Sequence, residues 1–81
     1  MEDEARAAER ARYESLSARE RSVFQLIAEG YSTSQIGERL FISAKTADTY
    51  RRRVNEKLGI NERAEYVKLA LALNLLGAPE K

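Results

Sequence analysis

This chain has no cysteine and no histidine, and only one proline and four glycines in 81 residues. Without cysteine, neither a disulfide nor a thiolate metal site can supplement the core. Without histidine, the usual zinc ligand and the commonest general base are missing too. No glycine-rich phosphate loop occurs, and no pair of acids is poised for acid–base chemistry. The expectation is a protein that is not an enzyme and that needs no metal and no cofactor. No apolar run approaches the roughly 20 residues of a membrane span. The amino end is acidic (Glu2, Asp3, Glu4) where a secretion signal needs positive charge. A cytoplasmic protein with no membrane contact is the default reading.

The length allows one small domain with a modest core. Its formal net charge of +1 hides an uneven distribution. Residues 1–15 net −2, whereas residues 16–81 net +3. The stretch Lys45 to Lys57 alone nets +3, from Lys45, Arg51, Arg52, Arg53 and Lys57 against Asp48 and Glu56. A local cationic patch of this kind attracts phosphate even on a nearly neutral protein.

Residues 1–15 are rich in Ala, Glu and Arg and favour helix by propensity, with ion pairs available at Glu2/Arg6, Arg6/Glu9 and Arg10/Glu14. Their alanines bury little, so they read as an N-terminal linker or frayed helix. A domain over residues 16–81 follows. Ser17-x-x-Glu20 is a capping box that opens a first helix, with Val23, Phe24, Leu26 and Ile27 on its apolar face and Gly30 at its end. Ser32-x-x-Gln35 opens a short second helix with Ile36 and Leu40 pointing inward. Gly37 sits inside it at a cost of about 1 kcal/mol relative to Ala, which predicts a close approach of the next helix. Leu40, Phe41 and Ile42 carry a turn. Ser43 caps a third helix that stops near Gly59. Asn61 caps a fourth helix, running to about Leu76 before Gly77 and Pro79. No segment alternates with period two, so the fold class is all-α: a compact four-helix domain containing a helix-turn-helix.

At about 100° per residue, Ala47, Val54 and Leu58 share the core side of the third helix, with Tyr50 at the edge. Lys45, Thr49 and Arg52 lie opposite, flanked by Asp48. In a helix-turn-helix the second helix of the pair lies in the DNA major groove. Arg52 can then donate two hydrogen bonds to guanine, Lys45 can reach guanine or phosphate, and Thr49 offers a methyl to thymine. Asp48 either accepts from cytosine or pairs with Arg52 at i,i+4 spacing and holds that fork. Phosphate contacts are assigned to Thr33 and Ser34 at a helix start, and to Thr46, Tyr50, Arg53 and Lys57. Arg51 falls nearer the core sector, so its stem should pack and its head escape.

The fourth helix carries two apolar stripes: Ala64, Val67, Leu71 and Leu75 on one side, and Tyr66, Leu69, Leu73 and Leu76 on the other. A small monomer needs one buried face. Either more of this helix is enclosed by the domain or by the amino-terminal segment, or it docks on a second copy or another domain. The second stripe, Tyr66, Leu69, Leu73 and Leu76, is assigned to homodimerisation on DNA. The competing reading is a protein-interaction module that uses the basic helix and the apolar fourth helix.

From Leu16 to Leu71 the chain strongly resembles the LuxR-type (NarL/FixJ-like) DNA-binding domain. The resemblance rests on Leu16-Ser17-x-Arg19-Glu20, Ala28-Glu29-Gly30, Gln35-Ile36, Leu40-x-Ile42-Ser43, Thr46 and Lys57-Leu58-Gly59. It implies sequence-specific double-stranded DNA binding for transcriptional regulation, with the third helix (about 44–58) reading and the fourth forming a dimer contact. It places base reading at Asp48, Thr49 and Arg52, with Lys45 adjacent. Glu20 falls on a characteristic acid, which implies pairing with a base such as Lys57. Ala47, Tyr50, Gly37 and Arg51 depart from the commonest residues of the family. Such domains usually form the output half of a response regulator or ligand-sensing activator, so a regulatory domain and RNA polymerase are further expected partners.

Overall fold

A computed structural model of the chain describes residues 2–76. Among these residues there are five helices and no strand: α1 (Glu2–Glu14), α2 (Ala18–Ala28), α3 (Thr33–Leu40), α4 (Ala44–Leu58) and α5 (Arg63–Ala72). The first to fourth helices read from the sequence are α2 to α5. Gly77 and Pro79 lie outside the described residues.

Three serines start three helices by one device. Ser17, Ser32 and Ser43 sit in extended backbone, and each hydroxyl accepts from the amide three residues on. Glu20 and Gln35 return the bond to the cap amide, so both capping boxes form. Gly59, at φ 69°, ends α4 in the left-handed conformation that glycine adopts without penalty.

Val23, Phe24, Ile27, Ile36, Ala47, Val54, Leu58, Tyr66 and Leu69 form one core with Leu16 and Leu73. Full burial of a side chain such as Phe24 or Ile36 stabilises the fold by about 1.5–3 kcal/mol. Phe24 is at its centre, with Tyr66 stacked at 5.3 Å and Tyr13 edge-on at 5.4 Å. Tyr13 thereby ties the end of α1 to the core, so the segment read as a linker or frayed helix has a packed end.

Two expectations for the last helix are corrected. The cap is Glu62 and not Asn61, because the Glu65 carboxylate accepts from both amides, Asn61 at 2.8 Å and Glu62 at 3.1 Å. The helix ends at Ala72, and Asn74 follows at φ 61°, a left-handed turn that stops it before Leu76. The dimer assignment is also corrected. Tyr66, Leu69 and Leu73 are 1 %, 8 % and 3 % exposed, so the stripe given to a second copy faces the core of its own chain. Leu76 is half-buried. The outward stripe is Ala64, Val67 and Leu71, with Leu71 49 % exposed.

Gly37 meets the turn between α3 and α4 as its placement predicted. A Cβ there would lie 2.6 Å from the Ile42 carbonyl oxygen and 3.2 Å from the Ala44 amide nitrogen. Arg19 Nη1 donates to the Leu40 carbonyl at 3.2 Å and closes the end of α3. A second long-range tie joins the two ends of the core. The Glu20 carboxylate, 5 % exposed, accepts from Lys57 Nζ at 2.9 Å and also caps α2. Burial pushes its pKa up, but the Ser17 amide bond and the Lys57 ammonium outweigh this and hold it below 4.5.

Gly37→Val drives a branched side chain into the turn and should cost about 1–3 kcal/mol in chemical unfolding. An unchanged midpoint would contradict the close approach. Because the folded-state value of Glu20 is depressed, its contribution is complete above pH 4.5 and disappears as pH falls through the lowered value. Stability measured from pH 6 to 3 should therefore drop more steeply for the native chain than for Glu20→Gln. Parallel curves would exclude the effect.

Candidate nucleic-acid interface

Helix α4 carries the local charge excess, and packing decides which of its sides is free. Ala47, Val54 and Leu58 are buried, which turns Lys45, Thr49, Arg52 and Glu56 outward together. Thr49 Oγ donates to the Lys45 carbonyl at 3.1 Å. This commits the hydroxyl hydrogen to the backbone and leaves the oxygen lone pairs of an exposed side chain as acceptors. Arg52 is 73 % exposed, so most of its fork is open to a ligand.

Asp48 departs from a simple base-reading role. Its Oδ1 accepts from Arg51 Nη2 at 2.5 Å and Nε at 3.1 Å, and its Oδ2 lies 3.0 Å from Arg52 Nη2. The Arg51 hydrogen bond is the main cause that holds its carboxyl below the usual range, with Arg52 adding to it. Both oxygens thus already face a guanidinium group, Oδ1 through hydrogen bonds and Oδ2 through an ion pair. Of the two roles open to Asp48, the geometry forms the pairing with Arg52. Arg51, expected to send its head into solvent, instead grips Asp48 at i,i+3 spacing. That spacing was visible, but nothing in it ranked this partner above water.

The residues assigned to phosphate flank this face on both sides. Thr46 and Arg53 are exposed, and Tyr50 is half-buried with the Arg53 guanidinium 5.6 Å from its ring centre. Ser34 is exposed at the start of α3, while Thr33 lines a shallow cleft with Tyr31, Asp48, Arg51 and Arg63. Lys57 departs from the simple assignment, since its ammonium is bound to Glu20. Its side chain is 43 % exposed, so further donors remain accessible. Arg63 was missed: its guanidinium packs over Gly30. No spacing signal connects residues so far apart in sequence.

The flank toward α5 is held by the Tyr66 hydroxyl, which donates to Asn55 Oδ1. Burial pushes the Tyr66 hydroxyl up to about 12, so it stays a donor across ordinary pH. Among the described residues, no helix is long and apolar enough to cross a membrane. Within the same residues, no group of three acids or other metal-binding side chains is placed to hold a metal.

A short capped helix, a three-residue turn and a basic helix seated by one apolar stripe make a helix-turn-helix. The family profile described as "Bacterial regulatory proteins, luxR family" matches residues 14–70. The chain belongs to the LuxR family of bacterial regulatory proteins, which are DNA-binding transcription regulators and not an enzyme family. It is similar to the "Oxygen regulatory protein NreC" of Staphylococcus aureus strains JH9, JH1 and Mu3. Each is 41 % identical over 61 residues, which cover 75 % of this chain and 28 % of the relative. The chain thus spans little more than a quarter of the length of these relatives. No solved structure matches it at a significant level.

Proposed function

We propose that the chain binds double-stranded DNA in a sequence-specific manner, with α4 in the major groove. The observation that supports this most is the shared outward direction of Lys45, Thr49 and Arg52, opposite the buried Ala47–Val54–Leu58 stripe. Arg52 donates to guanine, Thr49 packs its methyl on thymine, and Lys45 addresses guanine or a nearby phosphate. Ser34 and Thr33 at the start of α3, with Thr46, Tyr50, Arg53 and the spare donors of Lys57, set the register on the phosphates.

A single small helix-turn-helix makes few contacts, and a two-fold dimer doubles them over two half-sites. The dimer surface in this reading is the outward side of α5, Val67 and Leu71, since Tyr66, Leu69 and Leu73 are occupied by the core. The chain works as the DNA-binding part of a longer cytoplasmic regulator, with a regulatory domain and RNA polymerase as its protein partners. This reading is supported by the small share of the relatives that it spans.

Selection of bound sites from random duplex DNA tests the reading directly. The expected result is an enriched motif, present as two symmetric half-sites. Arg52→Ala should weaken binding to the selected duplex by about 1–3 kcal/mol and relax the preference at one position. Retention of the full preference would remove Arg52 from base reading, and no affinity for any duplex at low salt would favour a protein-interaction module. Leu71→Asp should weaken self-association in sedimentation and abolish cooperative filling of paired half-sites. A monomer before and after, with DNA binding unaffected, would refute the dimer.

A further inference from the structure

Asp48 joins the outward face of α4 to its flank. Its Oδ1 takes two donors from Arg51, and its Oδ2 is ion-paired with Arg52 Nη2 at 3.0 Å. The side chains differ in exposure along this chain of contacts: 27 % for Asp48, 37 % for Arg51 and 73 % for Arg52. An isolated exposed i,i+4 pair holds its partner weakly, because two side chains must be ordered at once. Here the fork of Arg51 fixes the carboxylate plane, so the second oxygen is already aimed at Arg52. A cytosine amino group would have to compete with these guanidinium groups before Asp48 could read it.

We propose that Asp48 is a specificity-determining positioning residue that acts through Arg52. It holds one corner of the guanidinium, and the remaining donors of the fork stay directed at a single base edge. Two physical effects follow from this arrangement. Arg52 loses less rotamer freedom when it meets the base, because part of its order exists beforehand. The carboxylate beside the fork also weakens the pull of phosphate on Arg52, which penalises sequence-independent binding. The inference rests on the placement of α4 in the major groove.

The test is a double-mutant cycle on the full chain: native, Asp48→Asn, Arg52→Ala and the double variant. Each is titrated with the selected duplex and with a random duplex of equal length, over a salt series. Asp48→Asn keeps the shape of the side chain and removes its charge. The random duplex should then bind more tightly and with a steeper salt dependence. The ratio of selected to random affinity should fall about ten-fold. In the Arg52→Ala background the same change should leave that ratio unaltered. An equal fall with and without Arg52 would assign Asp48 to direct base contact. No fall in either background would leave only a structural ion pair. Either result overturns the proposal. Melting curves of each variant confirm that all four compare folded proteins. A native chain that binds both duplexes equally overturns the DNA reading itself, and is distinguishable from failure of the Asp48 assignment alone.

Discussion

Burial of Ala47, Val54 and Leu58 fixes the rotation of α4 about its own axis, and the functional face depends on that rotation. A helix has no preferred roll by itself; the buried stripe supplies one. Close approach at Gly37 then sets the distance between α3 and α4, and the Glu20–Lys57 pair ties α2 to the far end of α4. These contacts act on different parts of one helix. Together they present Lys45, Thr49 and Arg52 on a rigid element, where position is more reproducible than on a loop.

The polar contacts divide into those that hold the domain and those left for a partner. Glu20 is almost fully buried and satisfied by Ser17 and Lys57, so replacing one partner would leave a buried charge without compensation. The Tyr66 hydroxyl and Asn55 join α5 to α4 in the same way. By contrast, Arg52, Lys45 and Arg53 remain largely open. Cationic groups whose contacts stay within α4 are those a polyanion can take up without disrupting the core.

Much of this was legible because local chemistry and period agree. Each serine cap, the two boxes and the stop at Gly59 are set by neighbours within a few residues. The inward face of α4 follows from three apolar positions among polar ones. The cost of Gly37 likewise pointed to a tight turn, and the turn is there. The fourth helix of the sequence reading was harder, because two apolar stripes satisfy the same periodicity. Tyr66 decides between them: it stacks on Phe24 and bonds Asn55, contacts that no spacing reveals. Tyr13 escaped for a related reason, since one aromatic at the end of an alanine- and arginine-rich segment gives no face of its own. The grip of Arg51 on Asp48 depended on the choice between two candidate bases three and four residues away.

The most direct measurement is a nuclear magnetic resonance titration of the labelled chain with the selected duplex, following backbone amides and arginine Nε–H signals. The largest changes are expected at Lys45, Thr49 and Arg52, smaller ones at Ser34, Thr46 and Arg53, and little change in the core around Phe24 and Tyr66. Changes gathered on α1 or the outer face of α5, with α4 undisturbed, would contradict this expectation.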